Sequence, residues 1–226
     1  MKRIFIILFL FIPISLIELY PQYTSVGGLI NDVNTLAARN SNNTLVYTNV
    51  DGNPYYSKEF KDCIIYLNDG RYGTIPIRYD LFLDEIEFKK DGKTLWLTKN
   101  DIKNIHYGSE ILIVTSVSED AGKLGYVFLQ DSGKYSLFMK KAVEYLPYVA
   151  PKGYADPIPD RFNSKTDEFY LKIENNPLKK FRTKKDLLGL LGNKPEIEAY
   201  IKKEKIKTDK AADLKKLFGY LNSSQL

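Results

Sequence analysis

Two adjacent carboxylates, Asp84 and Glu85, stand in IPIRYDLFLDEIEF, residues 75–88, a few positions after Arg78 and Tyr79. A pair of carboxylates can act as acid and base on a glycosidic bond when the groups face each other about 5–9.5 Å apart. Neighbours on a strand point to opposite faces, so Asp84 and Glu85 cannot share that work. Glu85 and Glu87 do share a face, but against Ile86 and Phe88 they read as the wet side of a half-buried strand. The apolar parity changes at the same place: Ile75, Ile77, Tyr79, Leu81 and Leu83 are odd, whereas Ile86 and Phe88 are even. One extra residue swaps the faces of a strand, so the pattern predicts a β-bulge or a two-residue bend at Asp84 and Glu85. The binding alternative has Arg78 pairing bidentately with an acidic group, while the carboxylates receive a cation or sugar hydroxyls. Arg78, Tyr79, Asp84 and Glu85 are therefore the candidate binding residues.

The rest of the chain is poor in reactive groups. It has one histidine, His106 in KNIHYG, and one cysteine, Cys63 in CIIYL. A His-dependent triad needs a nucleophile in a recognisable turn, and no G-x-S-x-G stretch is present. Zinc needs three or four ligands at local spacing. The glycine patterns of a P-loop or dinucleotide fold and the acidic loop of an EF-hand are missing. The sequence thus predicts no catalytic residue, no metal site and no cofactor. Cys63 reads as a small buried apolar residue and His106 as a strand-end or turn residue. Tyr55, Tyr56, Phe60, Tyr66, Tyr72, Tyr79 and Phe82 are closely spaced, with Arg71 and Arg78 among them. Such rings make glycan or base platforms when exposed, and core and rim packing when they sit on amphipathic strands.

The elements that must position these groups follow from the pattern. Residues 1–22 have the form of an export signal, with Lys2 and Arg3 ahead of an apolar run from Ile4 to Ile17. That run is short for a membrane span of roughly 20 residues. An uncleaved anchor is the alternative, and without a cysteine beside the run a lipoprotein anchor is excluded. Residues 23–45 read as a flexible tether. Residues 46–165 predict an antiparallel β-rich domain of about five to seven strands, a curled sheet or small open barrel. Its turns fall at Asn68-Asp69-Gly70, Asp91-Gly92, Ser118-Glu119-Asp120 and Asp131-Ser132-Gly133. Pro147, Pro151, Pro157 and Pro159 mark an extended surface connector or hinge. Residues 166–226 predict a hairpin around Asn175-Asn176-Pro177 and three short helices, opened by Thr183 with Asp186, by Pro195, and by Thr208 or Asp209. The fold class is α+β.

Charge is unevenly placed. Residues 165–226 carry 15 Lys+Arg against 9 Asp+Glu, while residues 24–164 carry 16 against 18. The basic end suits an acidic surface, although lysines interleaved with glutamates also describe a solvated helix face. Nucleic acid is not an expected partner, because the strand region is slightly acidic and the N-terminus points to export. No membrane-spanning segment is expected once the signal is removed.

GNPYYSKEF at 52–60, RYGTIPIRYDLFLDEIEF at 71–88, DRFNSKTDEFYLK at 160–172 and the lysine-rich helical end from Thr183 to Ser223 occur in this order. With them, residues 50–222 resemble a family of exported, signal-peptide-bearing proteins of Bacteroidota that carries a P-x-R-Y-N-x-Y-x-D-E-x-E-F-like motif. Here Asp80 takes the place of Asn in that motif and Phe82 the place of Tyr. The resemblance implies export to the periplasm or beyond, a β-rich body and a helical end, and it implies no catalytic residue. The expected function is a non-catalytic envelope protein that binds a partner protein or an envelope polymer such as a glycan. The rival reading is a hydrolase of envelope glycans that uses Asp69, Asp84 or Glu87 with an acid from another strand.

Overall fold

The computed structural model of the chain describes residues 38–40, 47, 50–117, 123–151, 153–154 and 156–224, with residues 38–40 described as backbone. The expected export signal, most of the expected tether and the turn at Ser118-Glu119-Asp120 lie outside the described residues. The strands are β1 (Ala38–Asn40), β2 (Lys61–Leu67), β3 (Tyr72–Asp80), β4 (Glu85–Lys90), β5 (Lys93–Leu97), β6 (Ile102–Tyr107), β7 (Glu110–Ser116), β8 (Leu124–Asp131), β9 (Tyr135–Lys140), β10 (Val143–Leu146), β11 (Arg161–Ser164), β12 (Glu168–Ile173) and β13 (Lys179–Phe181). Three helices follow: α1 (Lys184–Leu190), α2 (Pro195–Lys203) and α3 (Ala211–Ser223).

Eleven strands form one antiparallel sheet in the order β1-β5-β4-β3-β2-β6-β7-β8-β9-β12-β13, and β10 with β11 forms a separate pair. The sheet is open and the class is α+β. Among the described residues, the turns expected at Asn68-Asp69-Gly70, Asp91-Gly92, Asp131-Ser132-Gly133 and Asn175-Asn176-Pro177 each join two neighbouring strands. Asp91 and Gly92 both have positive φ, 49° and 74°, the requirement of a two-residue turn that matches strand twist.

Three expectations need correction. Within 46–165 the described residues hold ten strands, β2 to β11, where five to seven were expected, because short turns split the apolar runs more often than the turn residues alone indicate. Residues 38–40, inside the expected tether of 23–45, pair with β5 as an edge strand. The parity change after Leu83 is not a bulge within one strand. Residues Leu81–Asp84 make a four-residue turn, and β4 runs back beside β3 with Arg78 opposite Glu87 and Asp80 opposite Glu85. A reversal resets the in-out alternation as effectively as an extra residue does.

The connection from β5 to β6 determines the shape. In the sheet β4, β3 and β2 lie between those two strands, a separation of about 19 Å if the sheet were flat at ~4.8 Å per strand. The connection has only Thr98 to Asp101, and three of these form a 3-10 turn (Lys99–Asp101), which rises about 2 Å per residue. The sheet must therefore curl. Lys99 in that turn pairs with Glu85 of β4 at 3.0 Å and lies 5.1 Å from the ring centre of Tyr126 in β8.

One continuous core runs from inside the curl to the helices. Ile65, Ile77, Tyr79, Ile86, Leu97, Ile105, Leu112, Tyr126 and Phe128 fill the curl, each fully buried. Leu137, Met139, Phe169 and Leu171 continue it toward Leu187, Ile197, Ile201, Leu214, Leu217 and Phe218. β12 pairs with β9 through six residues from Glu168 to Ile173, so the hairpin after the proline-rich segment extends the main sheet. Helix α3 packs on β8 and β9, and α1 lies against β13.

The first helix begins as its residue types require. The Thr183 side chain accepts from the Asp186 N–H, and Asp186 accepts from the Thr183 N–H, a complete capping box. Gly192 at φ 79° closes it and Pro195 opens α2. The third helix begins slightly later than expected, at Ala211, with Asp213 accepting the Lys207 N–H at 2.8 Å.

Because the core is continuous, the helices and the curled strands should unfold together. Phe218→Ala is expected to cost about 3–5 kcal/mol and to lower a single melting transition monitored by both strand and helix signals. Two separable transitions would overturn the shared core.

Candidate functional site

The residues singled out by sequence end on different sides of the sheet. Arg78 points to the outer face, where its Nε and Nη2 donate to Glu87 Oε2 at 2.9 and 2.7 Å. Glu87 is 2% exposed, so its charge depends on this partner. The guanidinium also stacks on Tyr55 at 3.7 Å and on Phe60 at 4.7 Å and donates to the Tyr55 hydroxyl at 3.1 Å. Arg78 is thus engaged within the chain on every side that carries a donor or a π-face.

Tyr79 points into the curl and has no exposed surface. Its hydroxyl donates to Asp84 Oδ1 at 2.6 Å, which burial of the ring and the neighbouring Asp84 charge reinforce by pushing the phenol well above its ordinary pKa. Asp84 has φ 56° at the last turn position, a conformation that Asp tolerates better than most residues. Its Oδ2 pairs with Lys140 Nζ of β9 at 2.9 Å, and it accepts weakly from the Tyr126 N–H at 3.4 Å. Lys140 Nζ also donates to the Tyr126 carbonyl at 3.3 Å. Gly125 makes this crossing possible. A Cβ there would stand 2.6 Å from Val117 Cγ2, 2.8 Å from Asp84 Oδ2 and 3.1 Å from Lys140 Nζ. The chain thus has a clasp in which the β3–β4 turn is held to β8 and β9 across the open side of the curl.

Asp80 and Glu85 face each other in register, an unfavourable like-charge pair. Each is drawn off by its own partners. Glu85 takes Lys99. Asp80, fully buried, accepts the N–H groups of Phe82 and Leu83 at 2.8 and 2.9 Å and the Tyr47 hydroxyl at 2.9 Å. Burial nonetheless pushes its carboxyl above the ordinary range, with Glu87 adding to the rise against those donors.

The carboxylates of the hydrolase reading are each held in an ion pair: Asp69 by Arg71, Asp84 by Lys140 and Glu87 by Arg78. His106 leans on Tyr66 at 4.8 Å within β6. Cys63 is buried, and burial pushes its thiol up to about 12. No group of three His, Cys, Asp or Glu among the described residues is placed to hold a metal. No described helix is long and apolar enough to cross a membrane.

The surface feature that sequence reasoning passed over is the arm made by β10, β11 and the residues between them. Phe162 roots it in an aromatic cluster, with ring centres 4.9 Å from Tyr47, 5.4 Å from Phe82 and 5.7 Å from Tyr145. Backbone bonds from Asp51 to Asp160 and from Phe162 to Asp51 tie it to the body at 3.0 and 2.8 Å. Gly52 leaves room for this contact, since a Cβ would meet the Phe162 carbonyl oxygen at 2.5 Å. Farther out, Val149 and Ile158 exchange backbone bonds of 2.9 and 3.1 Å. Among the described residues, the large apolar side chains that are well exposed are Tyr145, Tyr148, Val149, Tyr154 and Ile158, all on this arm. The signal was present in the sequence as prolines alternating with tyrosines. From spacing alone the stretch reads as a connector or hinge, because spacing does not show which way such rings face.

Comparisons with protein-family models, curated proteins and solved structures returned no match. The geometry therefore carries the functional argument.

Two outcomes follow from the clasp and from Asp80. Lys140→Met leaves Asp84 without its cation and is expected to cost about 1–3 kcal/mol. Adding Asp84→Asn, which tolerates the positive φ, should restore part of the loss; additive losses in denaturant melts would overturn the pairing. For Asp80, a raised folded pKa means that the folded state holds this proton more tightly than the unfolded chain. Its contribution to stability is present below the unfolded value near 3.9 and is lost as pH rises through the folded value. Asp80→Asn keeps an acceptor for both N–H groups and should flatten this slope above the unfolded value near 3.9, with a higher melting temperature than wild type at neutral pH. An unchanged slope would contradict the assignment.

Proposed function

We propose that the protein is a non-catalytic binding protein of the cell envelope, exported by its N-terminal segment, that engages a protein partner through the proline-rich arm. The observation that carries this reading is the gathering of Tyr145, Tyr148, Val149, Tyr154 and Ile158 on one projecting element. Apolar side chains exposed together, as opposed to singly, mark interaction surfaces. Tyrosine is favoured there because it offers a large rigid contact area with few torsions to freeze.

The arm is also built to bind without first being ordered. Pro147, Pro151, Pro157 and Pro159 restrict its backbone, the bridge between Val149 and Ile158 holds its two sides together, and the Phe162 cluster fixes its root. Preorganisation of this kind lowers the entropy lost on association. Proline along the edge also discourages indiscriminate strand pairing. The partner that fits is a protein with an apolar groove. Arg78, Tyr79, Asp84 and Glu85, proposed from sequence as a binding surface, instead support the body that carries the arm.

The reading is tested by placing a photo-crosslinking residue at Tyr154 and, separately, at exposed Lys103 on β6, in intact native cells. One discrete crosslinked species is expected from position 154 and none from 103. The variant with Tyr148→Ser, Val149→Ser, Tyr154→Ser and Ile158→Ser should lose the purified partner while keeping its melting temperature. Equal crosslinking from both positions, or undiminished binding by the variant, would overturn the reading. A crosslink solely to a second copy of this chain would replace a partner protein with self-association.

A further inference from the structure

The turn between the last two helices gathers unpaired positive charge at one end of the helical layer. Helix α2 ends at Lys203 and α3 begins at Ala211. Lys202 and Lys203 close α2, Lys205, Lys207 and Lys210 lie on the turn itself, and all five are exposed. None of the five takes part in an ion pair among the described residues. Two acids are interleaved with them, Glu204 and Asp209. Glu204 is held by Lys216 of α3, which leaves Asp209, with Asp213 at the start of α3, against five lysines.

This is not the pattern of a solvated helix face laced with its own ion pairs. The backbone that carries the lysines is fixed. Ile206 is buried and donates its N–H to the Ile201 carbonyl at 3.0 Å. Asp213 accepts the Lys207 N–H at 2.8 Å. Lys205 stands at φ 52°, a conformation that favours glycine or asparagine, so the charge is displayed at a position where a smaller residue would be less strained.

We propose that this lysine turn docks the protein on an anionic phospholipid surface. Every cation of the turn is a lysine, a compact charge on a flexible stem suited to scattered headgroups. The planar fork of arginine, which reads phosphates bidentately, is not used. The nearby rings, Tyr200 and Tyr220, are stacked on each other at 3.9 Å and are not open platforms for bases. With Ile206 buried, the turn presents no apolar side chain for insertion, so attachment is electrostatic and reversed by salt. The cleft beside the turn, about 540 Å³ and reaching Thr208 and Asp209, has Lys180 paired with Glu168 and carries Glu144 and Asp167 as well. With Lys165 and Arg182 also in its lining, the cleft sets three cations against Glu144, Asp167, Glu168 and Asp209, so it carries no cationic excess and the turn is the cationic feature.

The test is co-sedimentation of the full chain with vesicles of phosphatidylcholine alone and of phosphatidylcholine with about one-third phosphatidylglycerol. Binding that requires phosphatidylglycerol and falls steeply with added salt is expected, with each lysine contributing about fivefold. Changing Lys202, Lys203, Lys205, Lys207 and Lys210 together to Gln should abolish it without shifting the melting temperature. A second variant has Gln at Lys58, Lys93, Lys103, Lys123 and Lys179, which are equally exposed, and should bind as wild type does. Equal binding to both vesicle types, equal losses in the two variants, or stronger binding to a DNA duplex at the same phosphate concentration would overturn the proposal. The arm does not enter this test, so its outcome is independent of the partner reading.

Discussion

Because the chain must pass from the end of β5 to the start of β6 in four residues, with three strands standing between them, the sheet has no option but to curl. That single constraint places β8 and β9 within reach of the β3–β4 turn. It makes the interior of the curl narrow enough for Tyr79, Tyr126 and Phe128 to fill, with Tyr79 and Tyr126 edge to face at 5.5 Å. The polar groups that cannot be left in such an interior are then satisfied across the opening. Lys140 reaches Asp84 over the vacant side of Gly125, and Lys99 reaches Glu85. These pairs are consequences of the curl and also hold it, since removing either partner strands a charge in a partly buried place.

The same geometry explains why the arm projects. β10 and β11 do not join the main sheet, because β9 already has β8 and β12 as neighbours. The excursion between β9 and β12 must therefore lie outside the sheet. It is held at its root by Phe162 on Tyr47 and Phe82, rings contributed by the segment before β2 and by the β3–β4 turn. The turn that closes the curl is thus also the platform for the arm. A change at Asp80 or Phe82 is felt by both. Stability of the body and presentation of the arm are linked through that turn.

Among the described residues, an apolar surface on the arm and a cationic one between α2 and α3 stand exposed. They differ in the force they can exert. The arm buries area and acts at contact range, whereas the lysines act over about 8–10 Å in salt and orient what they approach.

Much of the architecture was legible in residue order. Asp91-Gly92 has to turn tightly, Thr183 with Asp186 has to cap, and the shift from a period of two to one near three and a half has to end the strands and begin the helices. These are local statements, decided by φ preferences and by hydrogen bonds between residues close in sequence. The break in alternation is legible in the sequence at Asp84 and Glu85, but a bulge and a reversal leave the same parity, and only the register of β3 on β4 shows a turn over Leu81–Asp84 with Glu85 opening β4. Lys140, Lys99 and Tyr47 carried no signal at all, because what makes them partners of Asp84, Glu85 and Asp80 is proximity across 14 to 56 positions of sequence, created when the sheet curls. The outward aim of Tyr148 and Tyr154 was hidden for the same reason. By itself the sequence determined where the chain turns and where it coils, while tertiary structure decided which side chains meet and which are left facing solvent, since contact between distant residues depends on how the strands close on one another.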